Sequence, residues 1–233
     1  MRIKRILLCV LSCILLSLPL FTVACDTNGS DDPAELSVLP PPEPDGGPFG
    51  VDVNINMSTI DNYLNRPDVV YFDMRMFYDP ADFEAIGGIS KLTQTLPGYR
   101  IVPFPFLASV GPLPVEGAYD GDSLFYVNWG ENREILLITP NFAESEIIFN
   151  QIFPKDKTIF LMCGGAGYTS LMRALLFHFG YDESKIYHTG GNWHYEGNMG
   201  VDMTISATDN NIATWRADYA FIDFDKLTRT GMN

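Results

Sequence analysis

The sequence predicts an α/β domain with a mostly parallel central sheet of about five strands, flanked by helices on both faces. Three observations lead there. Apolar runs such as VVYFD at 69–73 and TIFLM at 158–162 are continuous rather than alternating, as in strands buried on both faces. Between these runs lie segments with helical apolar spacing. One run then ends in a cysteine, a glycine-rich turn and a helix pattern, the connection that open parallel sheets use at their ligand-binding edge.

The first 24 residues stand apart from this pattern. Arg2, Lys4 and Arg5 form a basic head with no acid, followed by an apolar run from Ile6 to Leu20 and then Thr22-Val23-Ala24-Cys25. Small residues before a cysteine resemble a bacterial lipoprotein signal, cut before Cys25, which would then be lipidated. An ordinary signal peptide cut at Ala24 and an uncleaved anchor are the competing readings. Residues 25–50, rich in Pro, Gly, Asp and Ser, read as a flexible tether. The order of anchor, tether and domain implies an exported protein held on the outer face of a membrane, with lipid as its only membrane contact. Asp26 would resemble an inner-membrane retention signal in a two-membrane cell.

The domain is expected over 51–233, with a core at about 56–200 and an extension at 201–233. A short helix is expected at 58–64 with Ser58 as its cap, then the strand at 69–73 and a helical turn at 79–86. Further strands are expected at 100–104, where Pro103 marks an edge or an end, and at 134–138. A helix at 142–153 presents Phe142, Ile147, Ile148 and Ile152. The strand at 158–162, a helix at 170–179 and a strand at 185–188 follow. Residues 212–224 read as a terminal helix or strand.

Composition excludes some functions. The net charge is −14, and beyond residue 24 there are 12 basic against 29 acidic residues. A surface this acidic repels phosphate backbones, so no nucleic-acid partner is expected. The cysteines are Cys9, Cys13, Cys25 and Cys163. Signal cleavage and lipidation would leave Cys163 as the lone thiol, with no internal disulfide and no spaced ligand set for a metal.

Cys163 lies at the end of a buried strand, before Gly164, Gly165, Ala166 and Gly167 and a helix expected near Thr169 or Ser170. Glycines let successive N–H groups turn inward, and a helix N-terminus adds positive potential. Both favour a thiolate, so Cys163 is the candidate nucleophile and the turn from Gly164 through Tyr168, Thr169 and Ser170 its anion cradle. A buried structural thiol in a tight turn is the alternative. Asp73 and Arg75 are candidate supporting residues: Asp73 as a loop-bonding acid or a catalytic one, Arg75 as its partner or a substrate-facing cation. Arg173, one turn into the helix, faces either solvent or substrate. Trp193 and Tyr195 wall the pocket or pack on it. A Cys–His hydrolase would need His188 or His194 against Cys163.

The strand–Cys–Gly-turn–helix segment resembles the active-site loop of the rhodanese-like superfamily. So do Asp73-Met74-Arg75, Ile86-Gly87-Gly88-Ile89, the 96–103 segment and Tyr187-His188-Thr189-Gly190-Gly191-Asn192-Trp193, over about 56–200. The resemblance implies a rhodanese-like fold and a monomeric sulfurtransferase without cofactor, carrying sulfane sulfur as a persulfide on Cys163. Its partners would be a small donor (thiosulfate, polysulfide or persulfide) and a thiol acceptor. The sequence departs from the family where an arginine precedes the helix: Tyr168 and Thr169 stand there. That removes the bidentate holder of an oxyanion, rules against phosphatase chemistry and leaves open a degenerate module that binds a small anion or a partner protein.

Overall fold

A computed structural model describes residues 36–76, 94–110, 119, 121–202, 206–207, 213–214 and 220–231. The compact unit runs from Pro40 to Asn233. The expected turn at 79–86, the 86–89 motif, Cys25 and the signal segment lie outside the described residues.

The strands are β1 (Val69–Asp73), β2 (Gln94–Thr95), β3 (Tyr99–Ile101), β4 (Phe125–Trp129), β5 (Ile135–Pro140), β6 (Thr158–Cys163) and β7 (Ile186–Gly191), with three two-residue strands after them among the described residues. The helices are α1 (Phe104–Leu107), α2 (Ser145–Ile152) and α3 (Gly167–His178). A four-stranded parallel sheet, ordered β3-β1-β6-β7, forms the centre. The α/β class holds, but with four parallel strands rather than five. β5 is instead antiparallel to β4 in a separate hairpin, Val127 opposite Ile138.

Alternation along β1 and β6 sorts their side chains onto two faces. Phe72, Ile159, Leu161 and Cys163 join the core formed with Phe149 and Phe153 near α2 and Met172, Leu175 and Leu176 of α3. Tyr71 and Phe160 point the other way, in ring contact with Tyr99 and Tyr187. Among the described residues that face is met by residues 40–63 rather than by an α-helix. Tyr71 Oη donates to the Tyr63 carbonyl at 2.6 Å and Tyr187 Oη to the Pro40 carbonyl at 2.6 Å.

The expectation of a free tether to residue 50 is therefore corrected. From Pro40 the chain is docked on the domain as a strap. Asp52 N–H donates to the His188 carbonyl on the outer edge of β7, at 2.8 Å. The buried Asp52 carboxylate accepts from the N–H groups of Glu43, Asn54 and Ile55. At the opposite edge Ala220 N–H donates to the Ile101 carbonyl at 2.8 Å. Both edge strands are thus partly capped, which blunts pairing with other chains. Residues 228–230 of the extension bond to the 141–143 turn.

Local chemistry explains the other departures. Ser58 caps nothing: its N–H and hydroxyl both donate to Asn56 Oδ1, and the segment forms only a 3-10 turn, Ile60–Tyr63. β3 ends at Ile101 because Pro103 supplies no N–H and starts α1 instead. α3 closes as a Schellman turn, with Tyr181 N–H on the Leu176 carbonyl and Gly180 N–H on the Phe177 carbonyl. Gly180 takes the left-handed φ of 74° this requires. On α2 the sequence pattern chose the wrong inward residue. Ile147 is 60 % exposed, while Phe149 is fully buried against Phe125, Phe153, Phe179 and Tyr181.

The two residues should part company on truncation. Phe149→Ala is expected to cost about 3–5 kcal/mol and Ile147→Ala less than ~0.5 kcal/mol, read as denaturant midpoints at constant slope.

Candidate functional site

Cys163 ends β6, and the turn 164–166 carries the chain into α3. The helix starts at Gly167, two to three residues earlier than the sequence implied. Gly167, Tyr168 and Thr169 are therefore first-turn residues, and Ser170 N–H is already spent on the Ala166 carbonyl at 3.1 Å. Ser170 leaves the cradle. The N–H groups of Tyr168 and Thr169 remain, and both face the Cys163 sulfur.

Three features of β7 and the turn after it fix this geometry. First, β7 bulges against β6: Leu161 opposes His188, but Met162 opposes Gly190. The bulge moves Gly190, at φ 105°, and Gly191 under the turn. A Cβ on Gly191 would lie 2.3 Å from the Gly164 oxygen and 2.9 Å from the Ala166 nitrogen. Second, Ala166 is left-handed, at φ 72°, a conformation that costs a residue with a Cβ about 1–2 kcal/mol. His188 holds it. Gly190 N–H donates to His188 Nδ1 at 3.1 Å, which places the ring proton on Nε2, 3.1 Å from the Ala166 carbonyl. Third, the Trp193 indole lies against Gly164 and Gly165, where Cβ atoms would meet it at 3.0 and 2.9 Å. Trp193 N–H donates to the Gly164 carbonyl at 3.2 Å, and its side chain is 44 % exposed, forming the solvent side of the turn.

The other candidates separate. Asp73, fully buried, accepts from Arg75 through its backbone N–H, Nε and Nη2, and from Thr95 Oγ1 at 3.1 Å. Arg75 Nη2 also donates to the Gln94 carbonyl at 2.7 Å. The pair ties the end of β1 to β2, as a loop-bonding acid and its partner. Arg173 donates to the Gly50 carbonyl at 2.8 Å and so clamps the strap. Tyr168 stacks on Phe104 with centroids 5.5 Å apart. Tyr195 donates to Asp61 at 2.6 Å.

Burial opposes the thiolate that the helix N-terminus favours. Cys163 is 2 % exposed, and burial pushes its thiol above the ordinary value. The Thr169 hydroxyl and the two N–H groups oppose this, while the Asp73 carboxylate adds to it. Desolvation of a thiolate outweighs the dipoles the sequence pointed to and favours the neutral thiol. The Cys–His hydrolase reading also falls. His188 has both ring nitrogens on backbone groups, and His194 is exposed. Its structural part was missed in the sequence, where only the proximity of His188 to Gly190-Gly191 signalled it. Among the described residues no cluster of His, Cys, Asp or Glu could hold a metal.

Searches of protein-family models, curated proteins and solved structures find no match to this chain.

Burial lowers the His188 pKa from 6.5 to about 4, with Arg173 lowering it further and Asp45 opposing. As pH falls from 6.5 toward 4 the unfolded chain binds a proton that folded His188 refuses. Stability is therefore complete above this window and declines through it, by about 3 kcal/mol in all. Denaturant midpoints measured from pH ~7.5 to ~4 are expected to show this decline in wild type and a flatter profile in His188→Gln.

Proposed function

We propose that this chain is a rhodanese-like sulfurtransferase that carries sulfane sulfur as a persulfide on Cys163, exported and anchored through lipid on Cys25. The observation that carries the reading is the placement of one thiol at the C-terminal end of a central parallel strand, with the N–H groups of Tyr168 and Thr169 turned toward its sulfur. Ligands meet open α/β sheets at this edge. The resemblance of the loop and of the Tyr187–Trp193 segment supports the same reading.

The proposed step is balanced without cofactor. The Cys163 sulfur attacks the terminal sulfur of a donor R–S–SH. A bond forms between the two sulfurs, the donor S–S bond breaks, and its electron pair leaves with R–S⁻, which takes the proton lost by Cys163. An acceptor thiol then removes the outer sulfur and restores the Cys163 thiol by thiol exchange. Because Cys163 is buried and burial favours its neutral form, the donor must enter the turn to reach it.

That same closure favours a second reading, a rhodanese-like binding module whose chemistry went with the loop arginine. Peptide mass spectrometry separates the two. The full chain is treated with thiosulfate or a polysulfide, digested, and the Cys163 peptide weighed beside that of Cys163→Ala. A gain of one sulfur, reversed by a thiol and absent from the variant, is the expected result. No gain with any donor, while a small alkylating agent still labels Cys163, would leave the binding module.

A further inference from the structure

Thr169 stands six residues after Cys163, in the first turn of α3, and is fully buried. Its hydroxyl makes no hydrogen bond of ordinary geometry. Most buried hydroxyls are satisfied, because an unmade hydrogen bond wastes the hydration given up on folding. A first-turn hydroxyl of the other long helix shows what this one forgoes: Ser145, on α2, gives its hydroxyl to the Leu124 carbonyl at 2.7 Å. What the Thr169 hydroxyl does approach is the Cys163 sulfur, as do the Tyr168 and Thr169 N–H groups, all three favouring its anion. The arginines that sequence reasoning offered to this site are engaged elsewhere, Arg173 on the Gly50 carbonyl and Arg75 on Asp73 and the Gln94 carbonyl.

We infer that the Thr169 hydroxyl is a catalytic hydrogen-bond donor to the sulfur anion at Cys163, and that it selects hydropersulfide donors, R–S–SH, over doubly charged oxyanion donors. The inference rests on the sulfurtransferase reading for its substrate class only. A hydroxyl supplies one short donor and no charge, which suits a soft, singly charged sulfur. A thiosulfate or other oxyanion brings two charges into a buried pocket near the Asp73 carboxylate, with no guanidinium to offset them. The transfer is the one written above, with the hydroxyl bonding to the Cys163 thiolate as it forms and to the persulfide after it.

Thr169→Val is nearly isosteric and removes only the donor; Thr169→Ser restores it. Three readouts on the full chain test the pair. The first is the rate of Cys163 labelling by iodoacetamide as a function of pH, followed on the Cys163 peptide so that the other cysteines do not interfere. Thr169→Val is expected to label about tenfold more slowly at fixed pH, with its profile displaced upward, while Thr169→Ser follows wild type. The second is thermal stability. Both variants are expected to melt close to wild type, so that a slower labelling rate reports the lost hydroxyl and not loss of the fold. The third is sulfur loading of wild type, expected to be at least tenfold faster from a small hydropersulfide than from thiosulfate at equal concentration. A wild-type labelling profile in Thr169→Val, or slow labelling that Thr169→Ser does not rescue, would overturn the role of Thr169. Faster loading from thiosulfate would overturn the substrate class. Displaced labelling with no loading from either donor would retain the Thr169–sulfur contact and overturn the sulfurtransferase reading itself.

Discussion

The site depends on one close approach of backbone to backbone. Gly191, at the end of β7, sits so near the turn after Cys163 that no side chain fits between it and the Gly164 carbonyl. That contact requires the bulge that carries Gly190 at positive φ. It requires Ala166 to stay left-handed, and His188 to be neutral with its proton on Nε2 so that it can hold the Ala166 carbonyl. The direction of the first α3 N–H groups, and so their approach to the sulfur, follows from where Ala166 ends the turn. Glycine at 164 and 165 is demanded again from outside, by the indole of Trp193. The glycines thus serve close packing on two sides more than they serve as a loose anion cradle.

Much of the parallel sheet was legible in the sequence because its two central strands, β1 and β6, are apolar on both faces. The strand–Cys–turn–helix order was legible for the same reason. The hairpin was not. Ile135 to Ile138 reads like a buried strand, yet Leu136 is 61 % exposed, and its partner strand carries Tyr126 and Asn128 outward. A continuous apolar run implies burial on both faces only when something covers both, and no local pattern reports that. The strap was illegible for another reason. It docks largely through its carbonyls, Pro40 to Tyr187, Pro48 to Arg133 and Gly50 to Arg173, and any residue type supplies a carbonyl. Its composition remains that of a tether.

In the site, position was readable and protonation was not. The sequence placed Cys163 at a helix N-terminus, where dipoles favour an anion. Whether an anion forms there depends on how much water reaches the sulfur, and Cys163 is buried within a core drawn from segments remote in sequence. The same remoteness hid His188: its role is set by a bulge and by a carbonyl 22 residues away.

A closed, neutral thiol suits a carrier working outside the cell, where the proposed lipid anchor would place it. A thiolate open to solvent there would be oxidised or capped, since reactivity toward oxidants follows thiolate character and exposure. Burial suppresses both. It also raises the barrier to sulfur transfer unless the anion is stabilised from within, and groups buried with the sulfur do this without admitting water. The N–H groups of Tyr168 and Thr169 are held by the helix, and the Thr169 hydroxyl is fixed by the same turn. A long, hydrated cation in their place would have had to open the pocket to enter it. Short fixed dipoles beside a closed thiol in this sense form one design, in which no mobile charge has to enter the pocket.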